Sequence, residues 1–93
     1  MSISMIGIDH NMAPVDIRAK FAFTKKNAGE AMEKIKNQNG IYGCVILSTC
    51  NRLEVWASVD DEVDVCLYDC LCRIKGITDD SYRKYFVERK DQE

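Results

Sequence analysis

Cys44-Val45-Ile46-Leu47-Ser48 and Leu53-Glu54-Val55-Trp56-Ala57-Ser58-Val59, joined by Thr49-Cys50-Asn51-Arg52, decide the fold of this chain. The first run is apolar without interruption and reads as a strand, continuous enough to be central and buried. In the second, Leu53, Val55, Ala57 and Val59 alternate with Glu54, Trp56 and Ser58. That period of two reads as another strand. The four residues between them form the connection.

The flanking segments carry a different period. Upstream, Ser4–Asp9 reads as a first strand with Ile6 and Ile8 on one face. Ile3 and Met5 give it a second apolar face, for a helix over Pro14–Phe21 or for a further domain to cover. Asn11–Pro14 is a turn, and Pro14 suits the start of that short helix. Thr24 is a good N-cap, with Phe23 and Ala28 at hydrophobic-staple spacing. Ala28, Ala31, Met32 and Ile35 mark one helical face, which Asn37–Gly40 ends. Downstream, Asp60-Asp61-Glu62 supplies a cap for a second long helix. Its apolar positions are Val63, Cys66, Leu67, Cys70, Leu71 and Ile74, and Gly76 ends it. A helical turn around Thr78–Ser81 precedes a fourth strand at Tyr85–Val87. The order β-α-β-β-α-β, with a short extra helix after the first strand, predicts an α+β, ferredoxin-like sandwich. Its four-stranded sheet is mainly antiparallel and carries two main helices. Right-handed crossovers make the first and second strands, and the third and fourth, run in the same direction.

Ninety-three residues make a single domain, 46% hydrophobic and 30% charged, as in soluble globular proteins. The net charge of −2 gives no global signal for nucleic-acid binding. Lys25-Lys26, Arg83-Lys84 and Arg89-Lys90 read as solvated surface. No apolar run approaches the roughly 20 residues needed to span a bilayer. Met1-Ser2-Ile3-Ser4 lacks the basic start and apolar core of a signal peptide. Five cysteines without a secretion signal are expected to be reduced thiols in the cytoplasm.

Among those thiols Cys50 has unusual company. Ser48, Thr49, Asn51 and Arg52 surround it, and a nearby cation favours the nucleophilic thiolate. The residues alone leave two readings open, a nucleophile or a small buried hydrophobe. Arg52 is either a bidentate carboxylate clamp or a surface partner of Glu54. Cys66, Cys70 and Cys72 lack the C-x2-C knuckle of a zinc site. Cys66 and Cys70 fall on the apolar helix face and Cys72 points elsewhere, so they read as structural, with no metal expected. His10, the only histidine, follows the first strand and reads as a hydrogen-bonded structural residue before a general base.

Gly7-Ile8-Asp9-His10, the Ala13-Pro14-Val15 to Arg18 stretch and Leu47-Ser48-Thr49-Cys50-Asn51-Arg52-Leu53-Glu54 together resemble the N-terminal catalytic domain of glutamyl-tRNA reductase. The resemblance covers essentially the whole chain. It implies that Cys50 attacks the ester of glutamyl-tRNA and forms a thioester, which the full-length enzyme reduces with NADPH to glutamate-1-semialdehyde for tetrapyrrole synthesis. Arg52 becomes the clamp for the substrate side-chain carboxylate. Thr49 and Asn51 become hydrogen-bonding partners of its α-amino and carbonyl groups, with Ser48, His10 and Glu54 in support. Full-length members continue into an NADPH-binding Rossmann domain and a helical dimerisation domain. Residues 1–93 contain no G-x-G-x-x-G fingerprint and so are expected to be an excised domain that binds no cofactor itself. A homodimeric enzyme and a downstream aminomutase partner are also implied. The rival reading is a non-catalytic ferredoxin-like binding module in which Cys50 only packs.

Overall fold

The computed structural model describes residues 1–49 and 51–91. They run as β1 (Ser2–Asp9), α1 (Val15–Phe21), α2 (Lys25–Lys36), β2 (Ile41–Ser48), β3 (Arg52–Val59), α3 (Leu67–Lys75), a 3-10 helix (Asp80–Tyr85) and β4 (Val87–Asp91). The strands form one sheet in the order β2-β3-β1-β4, with every neighbouring pair antiparallel. β1 and β2 therefore run the same way on either side of β3, and β3 and β4 do so on either side of β1. This is the α+β, ferredoxin-like arrangement the periodicities predict. Among the described residues, no helix is long and apolar enough to cross a membrane.

Alternation gives the sheet two unlike faces. Ile6, Ile8, Ile46, Leu53, Val55, Ala57 and Val59 point into a core closed by Ala31 and Ile35 of α2 and by Leu67, Tyr68 and Leu71 of α3. Phe21 at the end of α1 is fully buried in the same core. Its ring meets Phe86 edge-on at 4.9 Å between centroids and Tyr82 at 5.9 Å. The short helix thus packs on the core side and does not cover the second face of β1. Ile3, Val45, Leu47 and Trp56 remain exposed on that open face.

Three elements depart from the sequence expectation. β2 is an edge strand, with Val45 52% and Leu47 51% exposed. An unbroken apolar run cannot by itself distinguish two buried faces from one, and the crossovers put β3 and β1 in the centre instead. The second long helix starts only at Leu67, with Cys66 as its extended N-cap. Asp60 closes a turn instead of capping a helix: its Oδ1 accepts from the Glu62 amide at 2.9 Å. The Asp60 amide donates to the Gly40 carbonyl at 2.8 Å, which brings the β2 entrance beside this segment. The last helical turn falls at Asp80–Tyr85, so β4 begins at Val87 and not Tyr85. Arg83 fixes that turn to α3. Its Nη2 donates to Cys66 Sγ at 3.1 Å, and its guanidinium lies 4.8 Å from the Tyr68 ring centroid. Elsewhere the local signals hold. Thr24 Oγ1 accepts from the Asn27 amide at 3.1 Å, and Gly76 ends α3 in the left-handed region.

Two glycines should respond oppositely to alanine. Gly40 has φ +89°, and a Cβ there would stand 2.6 Å from Val63 Cγ1. Gly40→Ala is expected to destabilise the chain by more than about 1 kcal/mol. Gly29, inside α2, has open space around its missing Cβ, and Gly29→Ala should stabilise by about 0.5–1 kcal/mol. Urea unfolding midpoints measure both, and equal shifts would contradict the packing described for Gly40.

Candidate active site

The β2–β3 connection is held by one hydroxyl. Thr49 Oγ1 accepts from the amides of Asn51 at 3.3 Å and Arg52 at 3.2 Å, while the Thr49 amide donates to the Arg52 carbonyl at 2.8 Å. A threonine does this well because its short side chain reaches its own turn. Two further bonds dock the connection onto neighbouring segments. The His10 amide donates to the Asn51 carbonyl at 2.9 Å, and Ser48 Oγ accepts from the Phe23 amide at 3.1 Å. The β1–α1 loop and the α1–α2 junction therefore both abut the segment that contains position 50. Cys50 itself lies outside the described residues.

A cleft of about 190 Å³ opens between this connection and α1. Its floor is apolar, from Ile8, Val15, Ala19, Ala22 and Leu53. Its polar groups are the hydroxyl-bearing Ser48 and Thr49 and two arginines, Arg18 and Arg52. Arg18 is the residue that the sequence reading passed over. Its Nε donates to the Ala13 carbonyl at 3.1 Å, which sets the direction of the side chain. The available signal was its place in the family-like stretch of α1, but only the packing of Phe21 brings that helix to Arg52.

Arg52 begins β3 with its side chain 58% exposed. Glu54 Oε2 stands 3.8 Å from its Nη1, beyond hydrogen-bond range. An exposed pair at that distance contributes at most about 1 kcal/mol. The Arg52–Glu54 pairing and a clamp role are thus compatible, since the guanidinium keeps donors to spare. Glu54 accepts more closely from the Trp56 indole N–H, at 3.1 Å. A second cleft, of about 250 Å³, lies on the open face, lined among others by Gly7, Asp9, Arg52, Glu54, Trp56 and Arg89. Arg52 borders both clefts. The side chains of Asn51 and His10 line neither. The exposed His10 ring makes no hydrogen bond among the described residues, and the bond His10 makes to the connection comes from its backbone amide.

The other thiols sit in the fold differently. Burial, with Cys70 adding to it, pushes the Cys44 thiol up to about 11. Burial also raises Cys70 and Cys72. Cys72 is buried, contrary to the sequence reading, because the chain returns over it after Gly76: the Ile77 amide donates to the Cys72 carbonyl at 2.9 Å. Among the described residues, no group of three or more His, Cys, Asp or Glu side chains is placed to hold a metal.

Two measurements check this geometry. Thr49→Val removes the acceptor of the exposed turn amides and should cost about 0.5–1 kcal/mol in urea unfolding, with Thr49→Ser close to wild type. At about pH 8 a thiol titrating near 11 is roughly one part in a thousand thiolate. Peptide mapping after brief iodoacetamide treatment should therefore find Cys44 unmodified in the folded chain and modified in urea.

Comparison with known proteins places this chain in a family. Residues 6–93 match the model of the glutamyl-tRNAGlu reductase N-terminal domain. The chain is similar to glutamyl-tRNA reductase of Alkaliphilus oremlandii, 40% identical over 84 residues, which is 90% of this chain and 25% of that protein. It is 37% identical over 92 residues to that of Vesicomyosocius okutanii, covering 98% of this chain and 22% of the relative. With that of Acetivibrio thermocellus it shares 35% identity over 89 residues, covering 96% and 27%. The chain thus spans about a quarter of the length of the curated relatives it matches. It belongs to the family of glutamyl-tRNA reductase N-terminal domains.

Proposed function

We propose that this domain captures the glutamyl group of glutamyl-tRNA as a thioester on Cys50. One observation carries the reading: two arginines and two hydroxyl-bearing residues meet at an apolar cleft lined by Thr49, the residue that precedes Cys50 in the chain. The Cys50 thiolate attacks the ester carbonyl carbon. The Sγ–C bond forms, the C–O bond to the terminal ribose breaks, and the ribose oxygen takes a proton. Covalent capture divides one difficult transfer into two easier ones. In this ester the α-carboxyl is consumed, so the free carboxylate is the side chain. Arg52, with Arg18 across the cleft, is the cation pair suited to hold it. The Asn51 side chain lines neither cleft, so Asn51 serves through its backbone, whose carbonyl accepts from the His10 amide. Thr49 acts mainly as a positioning residue, since its hydroxyl is engaged in the turn. Ser48 and Glu54 position the connection and Arg52, and His10 contributes through its amide.

The resemblance implies NADPH, but these residues do not fit it. A dinucleotide cradle needs parallel strands joined through a glycine-rich turn to a helix N-terminus. Here all neighbouring strands are antiparallel, and no such turn occurs among the described residues. We assign no reductive step to this chain. Reduction to glutamate-1-semialdehyde, homodimer contacts and any aminomutase docking fall, on this reading, to parts of the enzyme outside the matched quarter. Residues 1–93 then form the catalytic and substrate-recognition unit, with the cytoplasm as its setting.

Intact-mass analysis after mixing with glutamyl-tRNA should show a glutamyl adduct on wild type and none on Cys50→Ala. An adduct that persists in the alanine variant refutes the assignment. In a full-length enzyme carrying this domain, Arg52→Lys replaces a fork by a point charge and should weaken glutamyl capture about tenfold or more. Unchanged kinetics would remove Arg52 as the clamp. A non-catalytic binding module predicts no adduct at any cysteine.

A further inference from the structure

We propose that the cleft on the open face of the sheet, floored by Gly7 and walled by Trp56 and Arg89, receives the unpaired 3′-terminal nucleotides of the tRNA. The aminoacyl ester then straddles Arg52. This inference rests on the acyl-capture reading and adds the partner of a second surface.

The two clefts share Ile8 and Arg52 but differ in chemistry. One offers an apolar floor and two guanidinium groups, which suits a short acid. The other offers an aromatic ring, a hollow and a cation. An aminoacyl nucleotide is likewise two unlike halves joined by one short ester. Trp56 is 40% exposed, and its N–H is anchored on Glu54 Oε1 at 3.1 Å, which fixes the indole. A fixed, accessible indole on an open antiparallel sheet is a stacking platform for unpaired bases. Gly7 supplies the hollow, because a Cβ there would reach within 3.3 Å of Met5 Sδ and 3.5 Å of Glu54 Cγ. The charges of the cleft are unequally engaged. The Asp9 carboxylate accepts from the amides of Asn11 at 2.9 Å and Met12 at 3.2 Å. Glu54 is held by Trp56 and faces Arg52. Arg89, opposite Met5 in the sheet, has no ion-pair partner among the described residues. It is the cation left to meet a phosphate.

Trp56 is the only tryptophan in the chain, so its fluorescence reports this cleft directly. The probe is an RNA hairpin with a single-stranded 3′-CCA end, compared with the same hairpin made blunt. The overhang hairpin should quench Trp56 saturably and the blunt one should not. Anisotropy of the labelled overhang hairpin should show about tenfold weaker binding to Trp56→Leu. Arg89→Gln should weaken binding and flatten its salt dependence. Circular dichroism verifies that both variants fold. Equal quenching by the two hairpins overturns the proposal, as does wild-type affinity in both variants. A Trp56 signal that changes with protein concentration alone also overturns it, because a second copy then occupies the face. Mass analysis of wild type with a small glutamyl ester reports on capture separately. A Cys50 adduct without overhang-dependent binding overturns this proposal alone. Overhang-dependent binding without an adduct supports the nucleotide site and sinks the capture reading.

Discussion

The pairing of β1 with β3 sets Ile8 opposite Leu53 and Asp9 opposite Arg52, and the rest of the molecule depends on that register. Successive strand residues face opposite ways, so a slip of one position would invert every side chain on the strand. Leu53, Val55, Ala57 and Val59 would leave the core, and Arg52, Glu54 and Trp56 would enter it. Hydrophobic burial therefore penalises any register but this one. The same register holds Arg52 at the rim of the sheet, where α1 can meet it from one side and the open face from the other.

Position then propagates through packing. Phe21 is buried among Tyr68, Tyr82 and Phe86, from α3 and from the segment leading into β4. Lys75 of α3 donates to the Ala22 carbonyl and lies 4.0 Å from the Phe23 ring centroid. Elements remote from the cleft in sequence thus fix the end of the helix that carries Arg18. The wall of the carboxylate cleft is a product of the aromatic core, so damage to that core would reach the site without touching it.

The legibility of these features follows the range of the forces behind them. Leu53–Val59 was readable because alternation is a local consequence of burying one face. The Thr24 cap and the Gly76 stop were readable because each satisfies backbone groups within one turn. The start of α3 was not, since Val63 and Cys66 keep helical spacing in a segment that is not helical. The edge position of β2 depends on chain crossovers, which no short window contains. In the site, Arg52 stood out by its immediate neighbours. Arg18 did not, because only tertiary packing joins it to them, and the engagement of the Thr49 hydroxyl exists only once its turn has closed.

Arg52 also constrains how this surface can diverge. Its side chain, the one charged group common to both clefts, borders surfaces of different character, so a substitution there alters both at once and neither can be retuned independently through it. Independent variation is open to residues that border a single cleft, such as Arg18 on one side and Trp56 and Arg89 on the other. A lineage could change its preference on one surface through those positions while holding the other constant, with the shared arginine as the fixed point between them.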